Sequence, residues 1–153
     1  MPIYRGVTEI GFYHLTRTGP DQALPALLGR TLAAGERAVV LCGSPSRVEA
    51  LDRWLWECKD PEWLPHGTAR SGDADLQPIW LTAEEERPNG ARFLFLLDGR
   101  EAGDVASWTR VFDLFDGADQ AQVEAARRRW SAAKQAGCAP VYWRQGERGW
   151  TRG

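Results

Sequence analysis

Residues 37–56, RAVVLCGSPSRVEALDRWLW, contain the change of pattern that decides the fold. The run 37–42 is apolar and has the length of a strand, and the following GSPS supplies a turn and a serine that can cap a helix over 47–56. A strand that leads directly into a helix is the unit that crossovers between parallel strands require. The stretch therefore predicts an α/β domain built on a parallel sheet.

The same alternation continues on both sides of this unit. Apolar runs without clean alternation indicate strands covered on both faces, and a spacing of three or four residues indicates helices. In chain order we predict strand 9–15, helix 23–34, strand 37–42, helix 47–56, strands 79–82 and 93–98, helix 119–136, and a two-stranded edge formed by VYW and GWTR. Residues 104–115 fit either a helix or a strand, and we interpret them as a short helical turn followed by strand 111–115. Residues 60–78 lose all periodicity and predict a long loop, whose order over 65–77 the sequence leaves open. The run EEERPNG is expected to form an exposed turn.

Length and composition favour a single α/β domain over residues 1–153. The chain is 43% hydrophobic and 26% charged, which is typical of a folded globular protein. Its formal net charge of −2 gives no general attraction to nucleic acid. No signal peptide is apparent and no stretch approaches the roughly 18 apolar residues of a membrane span, so a cytoplasmic location with no membrane partner is expected.

The residues that carry catalysis or bind cofactors in other α/β proteins are not arranged here in the usual motifs. The loop CGSPS lacks the GxGxxG spacing and the lysine of a phosphate-binding loop. Ser44 lacks a GxSxG setting, and the two histidines and three cysteines form no zinc-ligand spacing. We therefore expect no catalytic residue, metal or cofactor. A nucleotide-dependent transferase that uses 43–46 remains an alternative.

The eight tryptophans are the first unusual feature. Trp54 and Trp56 lie two residues apart on a predicted helix, so they point in different directions and cannot both face one core. At least one of them should be partly exposed, and Trp63 follows in the long loop. Exposed tryptophan is a common anchor at protein interfaces, which predicts a docking surface here. Simple packing against neighbouring helices is the alternative.

The run RRRW on the last helix is the second unusual feature. Arg127, Trp130 and Lys134 share one helix face, because they are spaced by three and four residues. An arginine can bind a carboxylate with two hydrogen bonds while an apolar pocket takes a side chain, so this face suits an acidic peptide that ends in a hydrophobic residue. A merely solvated helix face and a single-stranded nucleic-acid site are the alternatives.

Several segments in the same order resemble one family. They are GFYHL, RAVVLCGSPSRVEALDRWLWECKDPEWLPHG, QPIWLT, RVFDLFDG and ARRRWSAAKQAGCAPVYW. Together they resemble the chi subunits of bacterial DNA polymerase III, accessory proteins of the clamp-loader complex. The resemblance implies a Rossmann-like three-layer fold with a mostly parallel sheet and no functional nucleotide-binding loop. It also implies no intrinsic enzymatic activity and no cofactor.

The resemblance implies two protein partners and no strong direct binding of nucleic acid. One partner is the psi subunit or another clamp-loader or helicase protein, and Trp56 and Trp63 match aromatic positions used toward it. Trp63 stands where other members have phenylalanine, and the adjacent Leu64 is expected to join that contact. The other partner is the acidic, phenylalanine-terminated tail of single-stranded-DNA-binding protein.

For that tail, the resemblance makes Arg127 the residue that binds the terminal carboxylate. Trp130 matches an aromatic position of the site, and Phe115 matches an apolar wall. Ser131 replaces a lysine found in some members, a loss that Arg128 or Lys134 could compensate. The expected tail-binding residues are therefore Arg127, Arg128, Trp130, Lys134 and Phe115.

Overall fold

The protein is described from a computed structural model, which covers residues 7–59, 61 and 63–153. Over these residues the chain forms eight strands, three α-helices and two short 3₁₀ turns. The strands are β1 Glu9–Leu15, β2 Ala38–Leu41, β3 His66–Gly67, β4 Ile79–Thr82, β5 Phe93–Leu96, β6 Arg110–Asp116, β7 Ala139–Gly146 and β8 Gly149–Arg152. The helices are α1 Pro20–Ala33, α2 Pro45–Glu57 and α3 Gln120–Gln135, and the 3₁₀ turns are Ala74–Leu76 and Val105–Ser107.

All the described strands belong to one sheet in the order β3-β4-β2-β5-β6-β1-β7-β8. Every neighbouring pair is parallel except β7 and β8, which are antiparallel. The predicted α/β fold with a mostly parallel sheet is thus confirmed. The terminal two-stranded edge is also found, and it continues the main sheet because β7 pairs with β1 as well as with β8.

Helices cover both faces of the sheet and give three layers. Side chains alternate along each strand, so that on β2 Ala38 and Val40 belong to the core under α1 and α2, whereas Val39 and Leu41 belong to the core on the side that carries α3. Both sets are buried, which explains why the strands read as continuous apolar runs. Because α3 is the one described α-helix on its face, that face is covered less completely than the other.

The boundaries differ from the predicted ones where proline begins a helix. Helix α1 starts at Pro20, three residues before the predicted start, and α2 starts at Pro45, two residues early. Proline fits the first helical turn because the amide it lacks has no partner there. At α2 the Ser44 hydroxyl accepts a hydrogen bond from the Arg47 amide, as the sequence predicts for a cap.

The turn EEERPNG is less exposed than predicted. Asn89 is buried, and its side-chain amide donates to the carbonyls of Ala38 and Gln77 at 3.1 and 3.0 Å. The carboxylate of Glu86 accepts a hydrogen bond from the Thr82 hydroxyl at 2.6 Å. The two Asn89 bonds reach residues 51 and 12 positions away along the chain, so a local turn pattern could not reveal them.

Candidate docking sites

A pocket of about 350 Å³ opens between α3 and the part of the sheet formed by β1, β6 and β7. Most of its wall is apolar, and two basic side chains lie in it. The lining residues are Phe12, His14, Phe115, Val123, Ala126, Arg127, Trp130, Tyr142 and Gly153.

The pocket exists because one helix cannot cover this wide sheet. On α3 the side chains that face the floor are the small Val123 and Ala126, which leave space above the strands. Phe12 and Phe115 form the buried floor, and the Trp130 ring packs edge-on against Phe12 with centroids 5.4 Å apart. The predicted tail-site residues Phe115 and Trp130 therefore line one cavity.

Arg127 lies at the rim of this pocket and is exposed. Within the described part of the chain, no hydrogen bond or ion pair engages its guanidinium. Arg129, two residues later, differs: it donates to both oxygens of Asp113 at 2.6 and 3.0 Å, and the Arg129 side chain is only 11% exposed. Burial raises the pKa of Asp113, and the hydrogen bond and charge of Arg129 act against that rise. Arg127 is thus the basic residue whose charge is available to a ligand at the pocket.

The other two predicted basic residues lie outside the pocket lining. Arg128 and Lys134 are exposed on α3 and face solvent. Ser131, one turn after Arg127, is also exposed. The structure therefore brings Arg127, Trp130 and Phe115 together and leaves Arg128 and Lys134 around them as unfixed positive charges.

The sequence alone does not identify His14 and Tyr142 as residues of this pocket. The Nδ1 atom of His14 lies 2.5 Å from the Tyr142 hydroxyl, and the His14 ring packs 5.1 Å from the ring of Phe115. Burial lowers the pKa of His14, and the nearby charges of Arg144 and Arg127 lower it further. His14 and Tyr142 are 128 residues apart, so only the adjacency of β1 and β7 could have indicated the pair.

A second surface carries the exposed tryptophans. Trp56 is 60% exposed and Trp63 is 71% exposed. Trp54 points inward, where its indole nitrogen donates to the carbonyl of Asp21 at 2.6 Å. Trp54 therefore points into the protein and Trp56 points out of it, as their spacing of two residues on the helix predicts. The Trp56 ring packs on the His66 ring of β3 with centroids 4.6 Å apart, which fixes the outer tryptophan at the β3 edge of the sheet.

Leu64 requires a correction. It is predicted to join the partner contact with Trp63, but the residue is only 4% exposed and belongs to the core between the sheet and the helices. Its carbonyl oxygen lies 2.6 Å from Nδ1 of the buried His66. The side chain therefore attaches the loop to the core and is not accessible to a partner.

The loop CGSPS, the candidate phosphate site, is filled by a carboxylate of the chain itself. Asp98 accepts a hydrogen bond from the Gly43 amide at 2.9 Å and pairs with Arg47 at 3.2 Å. Arg47 also binds both carboxylate oxygens of Asp21. A phosphate would need the same donors at the start of α2. In this structure those donors are already engaged by Asp98 and Asp21.

Other chemical groups are sparse over residues 7–59, 61 and 63–153. In that part of the chain no three His, Cys, Asp or Glu side chains are grouped so that they could hold a metal ion. None of its helices has the length and apolar character needed to cross a membrane. Within the described residues the cysteines form no disulfide bond, and burial raises the pKa of Cys42 to about 12. Cys42 is consequently a protonated core side chain.

Comparison with known proteins gives one family match and two relatives. The family model for the DNA polymerase III chi subunit, HolC, matches residues 7–141. A protein of Rickettsia prowazekii named probable DNA polymerase III subunit chi is 25% identical over 107 residues, which cover 70% of this chain and 65% of that protein. An acylphosphatase of Chromohalobacter salexigens is 38% identical over 80 residues, which cover 43% of this chain and 86% of that protein.

These similarities differ in how much of the fold they include. The chi match runs from before β1 into β7 and so includes both faces of the sheet. The acylphosphatase similarity covers less than half of the chain. The chain spans a little under two-thirds of the Rickettsia protein. From the family match, this chain belongs to the DNA polymerase III chi subunit family.

Proposed function

We propose that this chain is a non-catalytic, cytoplasmic accessory subunit of the DNA polymerase III holoenzyme, and that it links the clamp-loader complex to the acidic C-terminal tail of single-stranded-DNA-binding protein. Membership of the chi family supports an accessory role in replication. The observation that carries the tail-binding part is the unpaired Arg127 at the rim of an apolar pocket.

A peptide that ends in phenylalanine fits the chemistry of this pocket. Its ring can enter the cavity between Phe115 and Trp130, and the carboxylate on the same residue then lies at the rim. Arg127 can bind that carboxylate with two parallel hydrogen bonds. An internal segment of a protein has no free carboxylate at that point, so the pairing favours a chain terminus.

The exposed basic residues around the pocket suit the acidic residues that precede the phenylalanine. Arg128 and Lys134 lie on the same helix as Arg127 and are free to follow a flexible peptide. Such exposed charges act over about 8 to 10 Å at physiological salt, and they raise the rate of encounter more than the final affinity. Tail binding should consequently weaken as salt is added.

The decisive experiment compares two neighbouring arginines. A labelled acidic peptide ending in phenylalanine is titrated against the wild type, Arg127→Ala and Arg128→Ala by fluorescence polarisation. Loss of charged hydrogen bonds at Arg127 should weaken binding about tenfold to hundredfold. Loss of an exposed charge at Arg128 should weaken it by less than about fivefold.

Two controls sharpen this result. The same peptide with a C-terminal amide should bind the wild type and Arg127→Ala equally weakly, because the carboxylate that Arg127 recognises is absent. Circular dichroism should report that both variants are folded. Equal affinity of the acid peptide for all three proteins would remove this pocket as the tail site.

For the second partner, the exposed Trp56 and Trp63 support a docking surface for psi or for another clamp-loader or helicase protein. Both rings are large, apolar and accessible, and tryptophan is enriched among the residues that dominate interface energies. The surface lies at the β3 edge of the sheet, away from the pocket on β1 and β7. A partner here would leave the tail site open.

Replacement of Trp63 by alanine should abolish co-purification of this partner from a co-expressing cell without unfolding the domain, since Trp63 is 71% exposed. Leu76→Ala is the matched control, because Leu76 is 67% exposed and apolar but lies in the 3₁₀ turn Ala74–Leu76. A folded Trp63→Ala protein that retained the partner in full would contradict the assignment.

The two alternative functions are less well supported by the geometry. A nucleotide-dependent transferase would need the donors at Gly43 and Arg47 that Asp98 already occupies. A single-stranded nucleic-acid site on the RRRW run would lose one of its three arginines, because Arg129 is neutralised by Asp113. The peptide-binding function uses the pocket as it stands.

A further inference from the structure

We propose that His14 and Tyr142 are the second half of the carboxylate site at Arg127, and that His14 takes up a proton when a carboxylate binds there. This inference rests on the proposed function and deepens it. His14 and Tyr142 lie outside the predicted tail-binding set, and they would make the affinity for a carboxylate depend on pH.

The side chains of His14, Tyr142 and Arg127 converge on one pocket. His14 comes from β1, Tyr142 from β7 and Arg127 from α3, and all three line the cavity. The register of β1 and β7 sets Arg144 directly beside His14. A ligand carboxylate bound by Arg127 would therefore enter a space that faces His14 and Tyr142.

The imidazole ring of His14 is held in place on several sides. One side packs on Phe115, and Nδ1 is bonded to Tyr142. The opposite edge lies against Gly117, where even an added Cβ atom would come within 2.3 Å of His14 Nε2. The ring cannot turn freely, so Nδ1 stays directed at the Tyr142 hydroxyl.

The direction of the His14–Tyr142 hydrogen bond depends on whether Nδ1 carries a proton. With Nδ1 unprotonated, the Tyr142 hydroxyl must donate to it, and the only hydrogen of that hydroxyl is then used. With a protonated imidazole, Nδ1 donates to the Tyr142 oxygen, and the hydroxyl hydrogen is free to donate to a ligand. Starting from the neutral tautomer whose Nδ1 is unprotonated, protonation of His14 thus adds a positive charge and frees the Tyr142 hydroxyl hydrogen for a ligand.

The charges around His14 favour its neutral form when the pocket is empty. Arg144 on β7 and Arg127 on α3 both oppose protonation, and burial acts in the same direction. On β6 the neighbour is the apolar Phe115, and the carboxylate of Asp116, at the end of that strand, accepts from the Ala118 amide instead. Within the described residues, His14 has no carboxylate partner. A bound ligand would supply one.

The sign of the effect follows from linkage. A carboxylate favours the protonated imidazole, so binding raises the pKa of His14, and protonation in turn strengthens binding. Affinity should therefore rise as the pH falls through the histidine range. One linked proton changes affinity by at most about tenfold per pH unit, and we expect a rise of roughly threefold to tenfold between about pH 8 and about pH 6.

The experiment is a titration of the labelled acid peptide against wild type and His14→Asn across this range. Asparagine places a neutral amide near the Nδ1 position but does not titrate. The wild type should bind more tightly at low pH, the variant should show no pH dependence, and the amidated peptide should show none with either protein. His66, the other histidine, is kept in the variant, so any slope due to it would persist there.

Calorimetry in two buffers of different ionisation enthalpy provides an independent measurement, because it counts protons directly. At a pH near 7 the wild type should take up a fraction of one proton on binding, and His14→Asn should take up none. Tight wild-type binding without pH dependence or proton uptake, or an unchanged slope in the variant, would overturn this inference and leave the proposed function intact. Absence of peptide binding at every pH would overturn both.

Discussion

Arg127 and Arg129 lie two positions apart on the same helix and have opposite environments. Arg127 is exposed at the rim of a pocket with no acidic partner, whereas Arg129 turns toward the sheet and binds an aspartate that is 3% exposed. Residues two apart on a helix are about 200° apart around its axis, which accounts for the difference. The side chains of the facing strand therefore decide the role of each arginine. Strand β6 supplies Asp113 to Arg129, and within the described residues it supplies no acidic partner to Arg127.

The largest effect expected from this comparison concerns stability. Arg129→Ala should lower the free energy of unfolding by about 3 to 5 kcal/mol, because it leaves Asp113 as a buried charge without a partner. Arg127→Ala should change it by less than about 0.5 kcal/mol, since its side chain contributes no ion pair to the described chain. Urea titration followed by tryptophan fluorescence measures both. Similar losses for the two variants would contradict the division between a structural and a ligand-binding arginine.

The smallest expected effect concerns Ser131 on α3. Ser131 is one turn beyond Arg127 and exposed, so Ser131→Lys adds a positive charge on the side of the pocket. Affinity for the acid peptide should rise about twofold to fivefold at low salt. The gain should shrink as salt is added, because exposed charges are screened. A gain that persisted at high salt would indicate a direct contact in place of long-range attraction.

Most of the fold could be predicted from the sequence because its elements carry strong local patterns. The buried parallel strands appear as apolar runs, and α3 shows its stripe of Val123, Ala126 and Ala133. The two-residue strand β3 is too short to produce a pattern. Leu64 lies in an aperiodic segment, where sequence gives no way to tell which side chains point inward. The buried Asn89 is fixed by hydrogen bonds to other elements and so looks like an ordinary turn residue.

The candidate pocket could be predicted only in part. Helical spacing brings Arg127 and Trp130 together, and the family resemblance adds Phe115, which the structure places in the same cavity. The partner of Arg129 is 16 residues away on another element, although one signal was present: Asp113 interrupts an apolar strand, RVFDLF, where a charge needs a buried partner. His14 has no comparable signal, because its role depends on which strand pairs with β1.

The strand order also sets a length scale. The tryptophan surface is attached to β3 at one edge of the sheet, and the pocket lies over β1, five strands further along. At about 4.8 Å between neighbouring strands, the two surfaces are separated by about 24 Å of hydrogen-bonded sheet. A continuous sheet of this kind would hold the two proposed docking surfaces at a fixed separation, so that a partner bound at one would not need to displace a partner bound at the other.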